Sequence, residues 1–127
     1  MHGRQLYEYA VIRVLPVLER EEFLNVGVIL FSKRAKCIQV RIALNEARLG
    51  AFTNDIDLEQ VRMNLRSFER IAAGDADAGP IAALDVAERF RWLTAVRSTA
   101  IQTSRPHPGL SEDLDRTTDR LFRELVL

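Results

Sequence analysis

The sequence predicts an α+β fold in which a mostly antiparallel sheet packs against three to four helices. Two observations lead to this class. Residues 6–44 contain three β-prone apolar runs joined by short connections, which predicts an antiparallel meander of three strands. From residue 46 onward, apolar residues instead recur at spacings of three and four, the period of an amphipathic helix. The predicted order is β-β-β-α-α-β-α, with the helices over one face of the sheet and a fourth strand added to the meander.

The central strand of the predicted sheet runs from Glu22 to Phe31. Its residues are apolar on both alternating faces, which is typical of a strand that is covered on each side. Asn25 and Gly27 are the exceptions. Strict alternation places both of them on the face of Phe23 and Ile29, where they would leave a small notch.

Two further strands are predicted beside this central one. The first, Leu6 to Leu15, would place Tyr7, Tyr9 and Val11 on one face and Leu6, Ala10 and Ile12 on the other. It ends before Pro16, because proline cannot donate a hydrogen bond to the sheet. The other, Cys37 to Leu44, has one apolar face and one mostly polar face. The short cationic segment 32–36 is predicted to be the hairpin loop before it.

The middle of the chain predicts helices. After a short helical turn, Leu58 to Ala72 carries a continuous apolar stripe. Asp57 is placed to cap this helix, and Gly74 is placed to end it. The next helix is predicted from Pro80 to Leu93, since proline is well tolerated in the first helical turn.

The C-terminal third predicts one strand and one helix. Arg97 to Ser104 is extended by propensity, although it is unusually polar for a strand. The sequence Pro-His-Pro-Gly at 106–109 predicts a rigid loop. Ser111 is predicted to cap a last helix whose buried edge runs from Leu114 to Leu125.

Composition limits the classes of function. The 127 residues are 47% apolar and 28% charged, which predicts one globular domain over residues 1–127. Basic and acidic residues both number 18, a balance that disfavours a dedicated nucleic-acid or anionic-membrane binder. Cys37 is the only cysteine, so neither a disulfide framework nor a multi-cysteine metal site is expected. Without a signal peptide or a membrane-spanning apolar run, we expect a cytoplasmic protein.

Three ordered segments resemble a bacterial family of small proteins of unknown function. They are Tyr9 to Pro16, Glu22 to Leu30, and Arg89 to Ala95 continuing into Arg97 to Gln102 and His107 to Gly109. Together they cover nearly the whole chain. The resemblance implies a neighbour, since members of that family are typically encoded beside a gene for a HipA-like kinase. It implies no catalytic residues.

Seven polar residues form the best candidate site, since amides, guanidinium groups and hydroxyls can together bind an anionic or polar ligand. They are Arg13, Asn25, Arg97, Ser98, Thr99, Gln102 and His107. The alternative is that these side chains satisfy one another and nearby helix ends. His107 has no local carboxylate or nucleophile as a catalytic partner, and no metal-ligand spacing or phosphate-binding loop is present.

The leading hypothesis is therefore a non-enzymatic accessory protein that binds a protein partner, with a HipA-like kinase as the first candidate. The two-sided central strand and Trp92, which lies off its helix stripe, would supply an exposed apolar patch. The rival hypothesis is an enzyme or a domain for a small anionic ligand, built on the seven polar residues. No cofactor is expected under the first hypothesis, and a homodimer is compatible with the sequence.

Overall fold

The computed structural model of the protein describes residues 3–15, 23–52, 57–95 and 100–127. Five strands form one sheet: β1 (Gln5–Val14), β2 (Leu24–Ser32), β3 (Cys37–Ile42), β4 (Ile101–Thr103) and β5 (His107–Ser111). Four α-helices accompany them: α1 (Glu46–Phe52), α2 (Leu58–Ala72), α3 (Val86–Leu93) and α4 (Leu114–Leu125). The predicted α+β class and the order of the first strands are confirmed.

The sheet has the order β3-β2-β1, with both β4 and β5 paired to the other side of β1. All pairings between these strands are antiparallel, so the predicted meander is confirmed. The Pro-His-Pro-Gly segment, predicted to be a loop, is instead part of β5. This strand tolerates Pro108 because its far side has no strand partner in the described sheet, so the missing N–H breaks no ladder bond there.

Ser104 joins β4 to β5 and keeps the edge of β1 hydrogen-bonded between them. Its backbone N–H donates to the Val11 carbonyl at 2.9 Å, and its buried Oγ accepts from the Val11 N–H, also at 2.9 Å. The two strands therefore act as one interrupted strand along β1. Sequence reasoning missed this serine, because a buried hydroxyl that replaces a ladder bond has no signature in the sequence.

Helices lie on both faces of the sheet. Helices α2 and α3 cover one face, and α4 covers the other. The first face buries Ile12, Val26 and Ile29 with α2 and α3, and the second buries Val28 and Leu30 beneath α4. The prediction that all helices share one face was wrong. The physical reason is the apolar character of both faces of β2, each of which needs a cover.

A β-bulge in β2 overturns the predicted facing of Asn25. Ile12 pairs with Gly27, but the next residue of β1, Arg13, pairs with Asn25, so Val26 is an extra residue in β2. A bulge of one residue reverses which face the residues beyond it occupy. Asn25 consequently lies on the α4 side, while Gly27 remains on the side of α2 and α3, and the two do not form a common notch.

Helix boundaries follow local capping groups. The Asp57 carboxylate accepts from the Gln60 N–H at 3.1 Å, which confirms the predicted cap of α2. The helix predicted from Pro80 is shorter, since a 3₁₀ turn ends before Asp85, which caps α3. Asp113 and not Ser111 caps α4, and the Ser111 hydroxyl accepts from the Asp113 N–H at 3.0 Å.

Within the described ranges, no helix combines the length and apolar character needed to cross a membrane. The same part of the chain holds no group of three or more His, Cys, Asp or Glu side chains arranged to bind a metal ion.

Candidate functional site

Three of the predicted site residues form one row across three strands. Arg13 on β1 pairs with Asn25 on β2 and, on its other side, with Gln102 on β4. The sequence grouped these residues by chemistry alone, and the antiparallel pairing brings them into register. Arg97, Ser98 and Thr99 lie outside the described residues.

Arg13 is held in the middle of this row by an aromatic ring. Its guanidinium carbon lies 4.1 Å from the centroid of Phe23, a cation–π contact on a half-exposed ring. Its Nε is buried and has no hydrogen-bond partner in the described part of the chain. One strong donor of the row is therefore available to a ligand or to a further part of the chain.

Asn25 connects the sheet to the end of α4. Its Nδ2 donates to the Leu125 carbonyl at 3.0 Å, whereas its Oδ1 is buried without a partner among the described residues. It lines a small cavity of about 310 Å³ together with Arg48 and Leu127. The Asn25 amide therefore has one structural role, which is to hydrogen-bond the C-terminal end of α4.

Gln102 and His107 do not share the cavity that Asn25 lines. Gln102 lines a different cavity of about 190 Å³, between α2 and Trp92. His107 is exposed and pairs with Tyr9, with ring centroids 5.4 Å apart. Tyr9 lies four residues from Arg13, so His107 is displaced by about 13 Å along the strand. Asn25, Gln102 and His107 do not converge on one cavity.

A larger groove lies beside the other end of β1 and is bordered by Arg91 of α3. Leu6 on β1 and Leu110 on β5 are directly paired, and their exposed fractions are 61% and 59%. With Pro108 and Phe31 they line a groove of about 810 Å³. We call this surface the Leu6–Leu110 groove.

Cations surround the Leu6–Leu110 groove. Five basic residues and one acidic residue, Glu8, line it; the basic residues are Arg4, Lys33, Arg34, Lys36 and Arg91. None of these five forms an ion pair within the described part of the chain, whereas Arg41, Arg62 and Arg70 are paired with acids elsewhere. The positive charge at the groove is therefore not neutralised locally, in a chain whose overall charge is zero.

The sequence signals for this groove were present but separate. The cationic hairpin 33–36 and a strand starting at Leu6 were both predicted, but Leu6 shares its face with the buried Ala10 and Ile12, so nothing in the sequence marks it as exposed. Leu110 and Pro108 were hidden because their strand was predicted to be a loop. The prediction that β2 contributes to an exposed apolar patch was wrong, because β2 is buried between two helix layers. Trp92 is 37% exposed and lines the cavity of about 190 Å³.

Cys37, at the start of β3, behaves as a packing residue. Burial raises the pKa of its thiol, and this effect exceeds the lowering by a hydrogen bond from the Ser32 backbone. The thiolate, which is the reactive form, is therefore disfavoured.

A family described as "Protein of unknown function (DUF3037)" matches residues 9–126. The chain belongs to this family. No curated protein and no solved structure matches the chain. In this DUF3037 protein, Arg4 and Leu6 of the groove precede the matched segment, while the cationic hairpin, Arg91 and Leu110 lie within it.

Proposed function

We propose that this DUF3037 protein is a non-enzymatic accessory protein that binds a protein partner in the Leu6–Leu110 groove. The observation that carries the proposal is the pairing of two largely exposed leucines inside a ring of unpaired cations. An apolar floor with a charged rim is the usual arrangement of a protein-binding surface.

The partner segment should be acidic with apolar side chains in between. Covering Leu6 and Leu110 would remove most of their remaining exposed surface from water, which favours binding by about 1 to 2 kcal/mol for each leucine. The cationic rim would attract carboxylates and raise the association rate more than the final affinity. Binding should accordingly weaken as salt concentration rises.

A HipA-like kinase is the partner to test first. The support for this choice is the resemblance of the three sequence segments to a bacterial family encoded beside such kinases. An accessory role agrees with the arrangement of the candidate polar residues, since Asn25 and Gln102 line different cavities and His107 lies exposed on β5.

The test is co-purification from native cells followed by affinity measurement with the partner recovered. We expect Leu6→Glu combined with Leu110→Glu to weaken binding at least tenfold. The matched control is Met63→Glu on α2, since Met63 is 55% exposed and lies outside the groove. Arg91→Glu should also weaken binding, whereas Arg66→Glu on α2 should not.

Equal binding by the groove variant and the control would exclude this groove as the docking surface. Recovery of no stoichiometric partner would shift support to the rival function.

The rival function is binding of a small polar ligand at the row of Arg13 and Asn25. It is favoured by one observation, the buried Arg13 Nε and Asn25 Oδ1 that lack partners among the described residues. A ligand with a carboxylate and an N–H group could satisfy both atoms. A thermal-shift screen of small carboxylates and amides should then stabilise the wild type but not Arg13→Ala.

A further inference from the structure

The outer side of β3 carries backbone groups that have no strand partner in the described sheet. This strand is at one end of the described sheet, and β2 is its only strand partner there. The Ala43 N–H donates to the Val26 carbonyl at 2.7 Å, which continues the ladder between the two strands. Because hydrogen-bonding direction alternates along an antiparallel strand, residues 37, 39 and 41 point their backbone groups toward β2. Ile38, Val40 and Ile42 point theirs outward.

This edge has few of the features that normally prevent pairing with another strand. Proline, lysine and inward-pointing charges are common protections of an edge strand. Residues 37–42 contain neither proline nor lysine. Their one charged side chain, Arg41, is bound to Asp115 at 2.8 Å and Asp119 at 3.1 Å on α4. Its Nη1 also donates to the Val40 carbonyl at 3.2 Å, and the second lone pair of that oxygen can accept from a neighbouring strand.

The side chains along the edge are also suited to a strand neighbour. Ile38, Val40 and Ile42 pack against the core on the α2 and α3 side but remain only half-buried. A second strand beside them would cover apolar surface and satisfy the outward backbone groups together.

We propose that two copies of this chain pair through β3, antiparallel and about a two-fold axis at Val40. In this register Val40 lies opposite Val40 of the partner subunit, and Ile38 lies opposite Ile42 of the partner subunit. Every outward N–H and C=O group of Ile38, Val40 and Ile42 is then used, giving on the order of six hydrogen bonds between the subunits.

Neighbouring registers are worse for identifiable reasons. A shift of two residues in one direction places Arg41 opposite Arg41 of the partner subunit, and like charges directly opposite are destabilising. A shift of two residues in the other direction leaves the outward groups of Ile42 without partners. A shift of one residue would place apolar side chains opposite polar ones. In the proposed register Gln39 faces Arg41 of the partner subunit, and apolar residues face apolar residues.

Light scattering on the untagged full chain tests the association. The expected species has about twice the 14.5 kDa mass of one chain. Val40→Pro removes an N–H group that points away from β2, so the ladder between β2 and β3 keeps its bonds. We expect this variant to be folded by circular dichroism and to have the mass of one chain.

Cysteine cross-linking tests the register and does not depend on the proline variant. Val40→Cys in a Cys37→Ser background places two sulfur-bearing residues across the two-fold axis. Their Cα atoms would be about 5.5 Å apart, within reach of a disulfide. Mild oxidation should then yield a covalent dimer. The wild type is the matched control, since Cys37 would lie about 20 Å from Cys37 of the partner subunit.

Three results would overturn the proposal. They are a single-chain mass at all concentrations, a dimer that folded Val40→Pro leaves intact, and failure of the Val40→Cys variant to cross-link. A chain that is monomeric alone but offers β3 to a strand of another protein would count among the first of these.

Discussion

Tyr7 and Gly109 lie directly opposite each other on β1 and β5, with the tyrosine ring against the glycine. A Cβ atom at Gly109 would overlap the ring atoms of Tyr7, which is itself 6% exposed. The missing side chain lets the ring cover the backbone of β5, an arrangement known to stabilise glycine in edge strands. This contact helps to explain why a segment with the composition of a turn forms a strand.

Gly109→Ala should therefore destabilise the protein. Overpacking in a well-packed site typically costs about 1 to 3 kcal/mol of the free energy of unfolding. Urea unfolding followed by circular dichroism measures this cost. Gly50→Ala is the control, because nothing lies within 4 Å of a Cβ there and alanine favours α1. Equal stability of Gly109→Ala and the wild type would contradict the contact.

Gly27→Ala tests the packing at the β-bulge. A Cβ at Gly27 would lie 2.5 Å from the Arg41 carbonyl oxygen and 2.9 Å from the Ile42 Cγ1. The first of these atoms belongs to the backbone of β3, so relief requires a shift of the strand. We expect a loss of about 3 kcal/mol or more, at the upper end of the usual range for overpacking. The same unfolding assay applies, and a loss no larger than that of Gly109→Ala would show that the bulge adapts easily.

The elements that the sequence predicted well are those with strong periodicity. β3 has a regular apolar alternation, α2 has a continuous apolar stripe, and Asp57 provides a cap that sequence spacing reveals. The facing of Asn25 failed because one inserted residue in β2 reverses the alternation, and no residue type marks a bulge of this kind. β5 failed because its proline and glycine indicate a turn unless the tertiary partner, Tyr7, is known.

The candidate site was predictable only for those polar residues that strand pairing brings next to one another. Arg13, Asn25 and Gln102 are neighbours because the register of β1 with β2 and β4 places them side by side. They were grouped at the sequence level by their chemistry, with no information on strand register. The Leu6–Leu110 groove was not predictable, since its two leucines are 104 positions apart and one belongs to the unforeseen strand. Long-range pairing of short strands is the information that a single sequence lacks.

Ser104→Ala should destabilise the edge of the sheet. The variant removes the hydroxyl oxygen that accepts from the Val11 N–H and leaves that group, in a buried residue, without a partner. An unsatisfied buried donor costs about 1 to 3 kcal/mol. Ser67→Ala on the exposed face of α2 is the matched control and should change stability by less than about 0.5 kcal/mol. Hydrogen exchange at Val11 should accelerate in Ser104→Ala, and unchanged protection there would contradict the assigned bond.

Asp75→Asn should make stability less dependent on pH at the acid end. The Arg70 guanidinium, which donates to Asp75 at 2.9 Å, lowers the pKa of the Asp75 carboxyl, with a smaller contribution from the Asp77 N–H. A lowered pKa in the folded state stabilises the protein at pH above the unfolded value of about 3.9. That contribution is lost as pH falls through the lower folded pKa. The wild type should exceed Asp75→Asn in stability at pH 5 to 7, and the difference should shrink as pH falls below the unfolded value of about 3.9. Urea unfolding across this range measures it. The same substitution in an Arg70→Met background should have little pH-dependent effect, and an equal effect in both backgrounds would contradict the role of Arg70.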